Sequence, residues 1–197
     1  MTGHLVMLHG MTGTSEMIRP FAERICPNGW NICDIDAPFS HPKRGFAWWM
    51  RDDPPEAPLD SETLQQVELS IDHVMSSIPK DGPLIVGGFS QGAAIAQELL
   101  LTEVSDRIVG VVVIGSKAIR SLLLMERLIE NKPMHMLSMH GERDHILPMQ
   151  QADECAKLYE ESGWEVTKIR HPKGHVIDMS HVETIVSWVL EVVYCLR

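Results

Sequence analysis

The stretch Leu84-Ile85-Val86-Gly87-Gly88-Phe89-Ser90-Gln91-Gly92-Ala93-Ala94 constrains the fold more than any other part of the chain. An apolar, β-branched run leads into a Gly-x-Ser-x-Gly turn, and the small residues Ala93-Ala94-Ile95-Ala96 lead out of it. Strand, tight turn and helix start in that order hold a serine at the apex of a strained bend, the arrangement of a nucleophile elbow. The positions two before and two after that serine must be almost free of side chains, and Gly88 and Gly92 meet the need. A helix starting near Gln91 would aim its N-terminus and free N–H groups at whatever reacts at Ser90. The bare pattern arises by chance in about one chain in fifteen of this size, so the strand before it and the helix after it carry the inference.

The 197 residues, 44% of them hydrophobic, suffice for one well-buried core, and a single domain over 1–197 is expected. A net charge of −10 with no clustered basic surface argues against nucleic acid as a partner, because nothing could replace phosphate counterions. Cys26, Cys33, Cys155 and Cys195 are scattered without Cys-x-x-Cys or His-paired spacing, so neither a metal site nor a disulfide framework is indicated. Reduced thiols in a cytoplasmic protein are the expectation. The apolar runs are strand-sized and no leader pattern opens the chain, so neither a membrane span nor an export signal is expected.

Along the chain, His4 to Leu8 reads as a buried strand entering the loop His9-Gly10, Thr14 or Ser15 caps a helix running to Ile25, and Trp30 to Ile35 is a second strand. Asp36 to Asp60 is a long Pro-rich connection. Ser61 then caps a helix whose Leu64, Val67, Ile71, Val74 and Met75 recur at helical spacing. After the Ser90 stretch and its helix to Leu101, strands are expected at 108–114, 134–140 and 166–169, with helices at 119–129, 149–161 and 178–195. Ile108 to Ile114 is nearly all β-branched, as suits a strand covered on both faces. Strands alternating with helices give an α/β chain with a mainly parallel, doubly wound sheet and helices on both faces.

In such a sheet the loops at the carboxyl ends of the strands converge, and a site should assemble there. The loop His140-Gly141-Glu142-Arg143-Asp144 places Asp144 in a turn before a helix, and His171-Pro172-Lys173-Gly174-His175 places His175 beside a flexible glycine. Ser90, Asp144 and His175 follow the chain order expected of a triad built from successive strands. A serine hydroxyl is too weakly acidic to attack alone, so a neutral imidazole, here His175, must take its proton and return it to the leaving group. A carboxylate on the far ring nitrogen, here Asp144, fixes the tautomer. Backbone donors for the oxyanion would come from Gln91 N–H and from the first loop, with Met11 N–H the candidate.

Other histidines and acids have plainer readings. His9, before a glycine, is a loop-fixing hydrogen bonder rather than a base; His171 and His181 compete with His175, but His171 precedes a proline at a strand end. Asp153 lies inside the following helix and reads as a solvated residue. Met11, Met17 and Met125 could line an acyl groove or fill the core.

The set Leu8-His9-Gly10-Met11, Gly88-Phe89-Ser90-Gln91-Gly92, His140-Gly141-Glu142-Arg143-Asp144 with Leu147-Pro148, and Gly174-His175 resembles the α/β-hydrolase superfamily. Within it the chain is similar to the phospholipase/carboxylesterase family that includes acyl-protein thioesterases, over nearly its whole length. The resemblance implies an α/β-hydrolase fold and a serine carboxylesterase or thioesterase that forms an acyl-enzyme without cofactor or metal. Its partner would be a small-molecule or acylated-protein ester or thioester. Many relatives begin with extra strands that this sequence lacks, so a minimal version of the fold is expected.

A ligand-binding protein on the same scaffold is the alternative, and the intact Ser90, Asp144 and His175 set favours the enzyme because a binding module needs pocket shape alone. The connection from Phe39 to Asp60 gathers Phe46, Trp48, Trp49 and Met50 among Pro38, Pro42, Pro54, Pro55 and Pro58. Clustered aromatics argue against disorder there, and Phe46, Trp48 and Trp49 either supply apolar wall for an acyl chain or pack the loop onto the domain. Oligomeric state is not legible in the sequence.

Overall fold

The computed structural model describes residues 2–51 and 57–196. Its main sheet has six parallel strands: β1 (His4–Leu8), β2 (Asn31–Cys33), β5 (Leu84–Phe89), β6 (Ile108–Ile114), β7 (His135–Gly141) and β8 (Glu165–His171), in the order β2-β1-β5-β6-β7-β8. The two-residue strands β3 (Phe39–Ser40) and β4 (Phe46–Ala47) pair antiparallel in a small separate ribbon. Among the described residues, six α-helices complete the fold: α1 (Ser15–Ile25), α2 (Ser61–Ser77), α3 (Gln91–Glu98), α4 (Ser121–Glu130), α5 (Met149–Glu161) and α6 (Val182–Tyr194).

The period of two along each strand divides the core into two halves. Leu5, Met7, Ile85 and Val112 face α1 and α6, which bring Ile18, Phe21 and Ile25, and Ile185, Trp188 and Val192. Val6, Leu8, Val86, Val111 and Val113 face the other way, where α2 to α5 pack Val67, Ile71, Ile95, Leu124 and Tyr159. Both faces of the sheet are thus covered, which is why β6 is buried at every residue and reads as an unbroken apolar run. Helix α1 forms because Ile18, Phe21, Ala22 and Ile25 share one stripe and the Thr14 hydroxyl caps the Met17 N–H at 3.2 Å.

The order of strands positions the site. The first crossover leads from β1 outward to β2, and the next returns past β1 to β5, so the chain reverses its direction of winding between β1 and β5. Leu8 pairs with Gly88, which brings the loop after β1 beside the turn after β5. A crevice at the carboxyl ends of such a strand pair is where open α/β sheets bind ligands.

Several boundaries differ from the sequence reading. Asp60, not Ser61, caps α2, accepting from the Thr63 N–H at 2.8 Å; two adjacent residues could each serve, and the carboxylate wins. The last helix begins at Val182 after a 3₁₀ turn at Met179–His181 capped by Asp178. The connection after Asp36 is not structureless, since it holds the β3–β4 ribbon. Pro54 and Pro55 of that connection lie outside the described residues. Among the described residues, no helix is long and apolar enough to cross a membrane.

Candidate active site

Ser90 sits at φ 54°, ψ −123°, between the end of β5 and the start of α3. A non-glycine residue rarely holds a positive φ unless its surroundings force it there. Those surroundings are visible: Ser90 N–H donates to Ile114 O at 2.9 Å, and the Ser116 hydroxyl donates to Ser90 O at 2.8 Å. The two flanking glycines are required by the end of β1. A Cβ on Gly92 would lie 2.3 Å from Leu8 O and 2.4 Å from His9 O, and one on Gly88 would lie 2.4 Å from Leu8 O.

His175 Nδ1 donates to Asp144 Oδ2 at 2.6 Å, and the imidazole rests against Phe89 with ring centroids 4.7 Å apart. Burial by itself would push the Asp144 carboxyl up. The N–H groups of Leu147 and Ile146 and the His175 ring outweigh it and hold Asp144 below the usual carboxylate range. His140 lies beneath the pair, its Nε2 donating to Leu147 O at 2.8 Å and standing 3.6 Å from Asp144 Oδ2. Burial lowers the pKa of His140, against the pull of Leu147 O and Asp144, and keeps the ring neutral. The competing groups are elsewhere. His171 is buried with its Nδ1 accepting from Lys173 N–H at 3.3 Å and faces His181, while Asp153 takes the Arg170 guanidinium at 2.5 Å.

Met11 and Gln91 both line the crevice that holds Ser90 and His175. Among the described residues, neither backbone N–H donates to a protein acceptor. The loop that carries Met11 is shaped by its neighbours: Thr12 adopts φ 67°, Thr12 N–H donates to Phe46 O at 2.8 Å, and Phe46 N–H donates to Gly13 O at 2.9 Å. His9 is fully built in, with Nδ1 donating to Gly10 O at 2.8 Å and Nε2 accepting from Ala37 N–H at 3.0 Å. That pattern needs a neutral ring, and burial lowers its pKa accordingly. The Gln91 side chain turns away from the reacting centre and clamps the far loop, accepting from Trp48 N–H at 3.1 Å and donating to Trp49 O at 3.0 Å.

The three aromatic candidates separate. Trp48 has 0% exposure; its indole N–H donates to His9 O at 2.7 Å and its carbonyl accepts from the Ser70 hydroxyl, so it packs under the Met11 loop. Neither Trp48 nor Phe46 lines the crevice, because hydrogen bonds to the first loop hold both behind it. Trp49 does line it. The crevice encloses about 550 Å³ and runs from Ser90 and His175 between Trp49, Ile119, Leu147 and Leu158. Sequence reasoning missed the segment after β6 and the inner face of α5, whose contribution depends on how those pieces pack together. Met17 is 59% exposed and belongs to neither groove nor core. Cys155 also lines the crevice, but burial pushes its thiol up to about 12, which leaves it unreactive. Among the described residues, no three His, Cys, Asp or Glu side chains gather as a metal ion would require.

A serine on a strained turn and a carboxylate-bound imidazole lining one crevice can support nucleophilic attack on an acyl carbon. Residues 4–192 match the family model described as phospholipase/carboxylesterase. No curated protein matches by sequence. The fold is similar to that of Arabidopsis thaliana SOBER1 at 18% identity and TM-score 0.75, covering 98% of this chain and 100% of that one. It is similar to Zea mays acyl-protein thioesterase 2 at 21% identity and TM-score 0.76, covering 97% of this chain and 94% of that one. It is similar also to the Bacillus cereus carboxylesterase at 20% identity and TM-score 0.74, covering 97% and 89%.

Proposed function

The chain belongs to the phospholipase/carboxylesterase family, and from that premise we propose that it is a serine hydrolase that cleaves carboxylic esters or thioesters through an acyl-enzyme. The observation that carries the reading is the 2.6 Å bond from His175 Nδ1 to Asp144 in the crevice where Ser90 heads α3. Ser90 Oγ attacks the acyl carbon while His175 Nε2 takes its proton, and Asp144 stabilises the imidazolium. The oxyanion is held by the N–H groups of Met11 and Gln91. His175 then gives the proton to the departing alcohol or thiol, and water repeats the sequence to free the acid. In this structure no hydrogen bond joins Ser90 Oγ to His175 within the described residues; contacts of this kind tighten when substrate binds. The apolar walls suit the acyl part of a small-molecule or acylated-protein substrate.

A fluorophosphonate probe and p-nitrophenyl butyrate test the proposal together. The wild-type protein should label at Ser90 and turn over the ester, and Ser90→Ala should lose both while its circular dichroism stays unchanged. Turnover near the wild-type rate in Ser90→Ala would overturn the mechanism.

A further inference from the structure

Helix α3 begins at the proposed nucleophile and ends on two side chains with 0% exposure, Gln97 and Glu98. Both reach out of the helix to the same place. The Gln97 amide donates to Lys117 O at 3.2 Å and to Ala93 O at 3.2 Å, and its oxygen accepts from Cys155 Sγ at 3.0 Å and Tyr159 OH at 3.4 Å. The Glu98 carboxylate accepts from Arg120 Nε and Nη2 at 2.5 Å each, and Arg120 also pairs with Glu68 on α2. One guanidinium therefore fastens α2 and the end of α3 to the residue just before α4, and Gln97 adds α5.

The segment fastened in this way is a wall of the crevice. Ser116, Lys117, Ala118, Ile119 and Ser121 all line it, whereas Glu98 and Arg120 do not. From Ser90 to Glu98 the helix rises about 12 Å, so the fastening stands well beyond the reacting carbon, where the tail of an acyl group would lie. A wholly buried carboxylate is an expensive way to hold a loop: an apolar pair of the same volume is often as stable or more so, while the ion pair fixes one geometry. Burial does push the Glu98 carboxyl above its ordinary value, against the pull of Arg120.

We propose that the ion pair of buried Glu98 with half-buried Arg120, with Gln97 beside it, is a specificity-determining brace that sets the crevice wall at residues 117–119 and so the length of acyl group accepted. The proposal rests on the hydrolase reading above. Glu98 and Arg120 are positioning residues, since they reach the substrate through the wall they hold.

The test compares acetyl, hexanoyl and decanoyl p-nitrophenyl esters on the wild type, Glu98→Gln, Arg120→Met and the double variant Glu98→Met/Arg120→Met. Acetyl turnover should stay within about twofold of wild type, while KM for the decanoyl ester should change by about tenfold with kcat kept, the size of effect that a reshaped apolar pocket gives. The double variant replaces the ion pair by apolar contact and should keep the wild-type Tm yet retain the shifted length profile. It decides the matter even where a single variant fails to fold. A double variant with the wild-type length profile, or equal change across all three esters at unchanged Tm, would overturn the brace. Absence of any Ser90-dependent acetyl turnover in the wild type would instead sink the hydrolase reading and the brace with it.

Discussion

The two oxygens of Asp144 divide their partners: Oδ1 accepts from the Ile146 and Leu147 N–H groups at 2.8 and 2.9 Å, and Oδ2 from His175 at 2.6 Å. In Asp144→Asn the amide oxygen can keep the loop bonds, but an NH₂ group would then face His175 Nδ1 and force the wrong tautomer. A loss of kcat on the order of 10⁴ is expected with little change in KM, read by steady-state kinetics on a short ester. The same substitution bears on stability. Asp144 has a lowered pKa in the fold, so its ionised form stabilises the protein above the ordinary carboxylate pKa of about 4, and that contribution is lost as pH falls through the lower folded value. Between pH 5 and pH 3 the Tm of the wild type should therefore fall more steeply than that of Asp144→Asn; parallel curves would show that the carboxylate is not held as described. The contact between Asp144 and His175 is legible in the sequence because a loop acid before a helix and a Gly-His pair after the next strand are local patterns. The part played by His140 is not, because its 2.8 Å bond to Leu147 O depends on how the loop folds back.

At the level of elements, the sequence exposes what local chemistry decides and hides what tertiary contact decides. Helix α5 falls at Met149–Glu161 and β6 at Ile108–Ile114, as periodicity and β-branching indicate, and Thr14 caps α1. The β3–β4 ribbon escapes such reading because each strand has two residues, too few to show alternation, and its edge is held by a bridge from Gly13 to Phe46. The Gly-x-Ser-x-Gly turn shows both kinds of cause: the pattern marks the bend, while the need for Gly92 comes from the end of another strand. Its missing Cβ would sit 2.3 Å from Leu8 O, backbone against backbone, with no flexible side chain to give way. Gly29, at φ 82°, has nothing within 4 Å of its missing Cβ. Gly29→Ala should thus cost about 1 kcal/mol, the ordinary penalty of a left-handed residue. Gly92→Ala should cost more, about 2 kcal/mol or above, and should also lower kcat by moving the start of α3 away from β1. Urea unfolding and ester turnover on both variants check this; equal losses in the two would mean that the contact with β1 does not constrain the elbow.

Across the whole molecule, the connection after β2 joins parts that the sheet leaves apart, running from the Met11 loop past the start of α3 to the rim of the crevice. Two adjacent tryptophans on it serve the two ends. Trp48 is enclosed by the loop after β1, α2 and the Gln91 side chain, and its indole N–H holds His9 O at 2.7 Å. Trp49 is buried too, at 5% exposure, but shares a wall of the crevice. Sequence alone shows two aromatics in a Pro-rich stretch and leaves their roles interchangeable, since which indole turns inward is settled by contacts with residues far away in the chain. Those placements give opposite expectations. Trp48→Ala empties a fully packed site and leaves a carbonyl unpaired, so it should cost about 3–5 kcal/mol in urea unfolding and depress turnover of all esters by a similar factor. Trp49→Ala removes apolar wall, so its kcat/KM should fall progressively further as the acyl chain lengthens, at up to about 0.8 kcal/mol for each methylene that loses its contact. Measuring both variants on acetyl, hexanoyl and decanoyl esters separates the roles: a uniform loss in Trp49→Ala would remove that residue from the acyl wall, and a length-dependent loss in Trp48→Ala would show that the connection reshapes the crevice from behind.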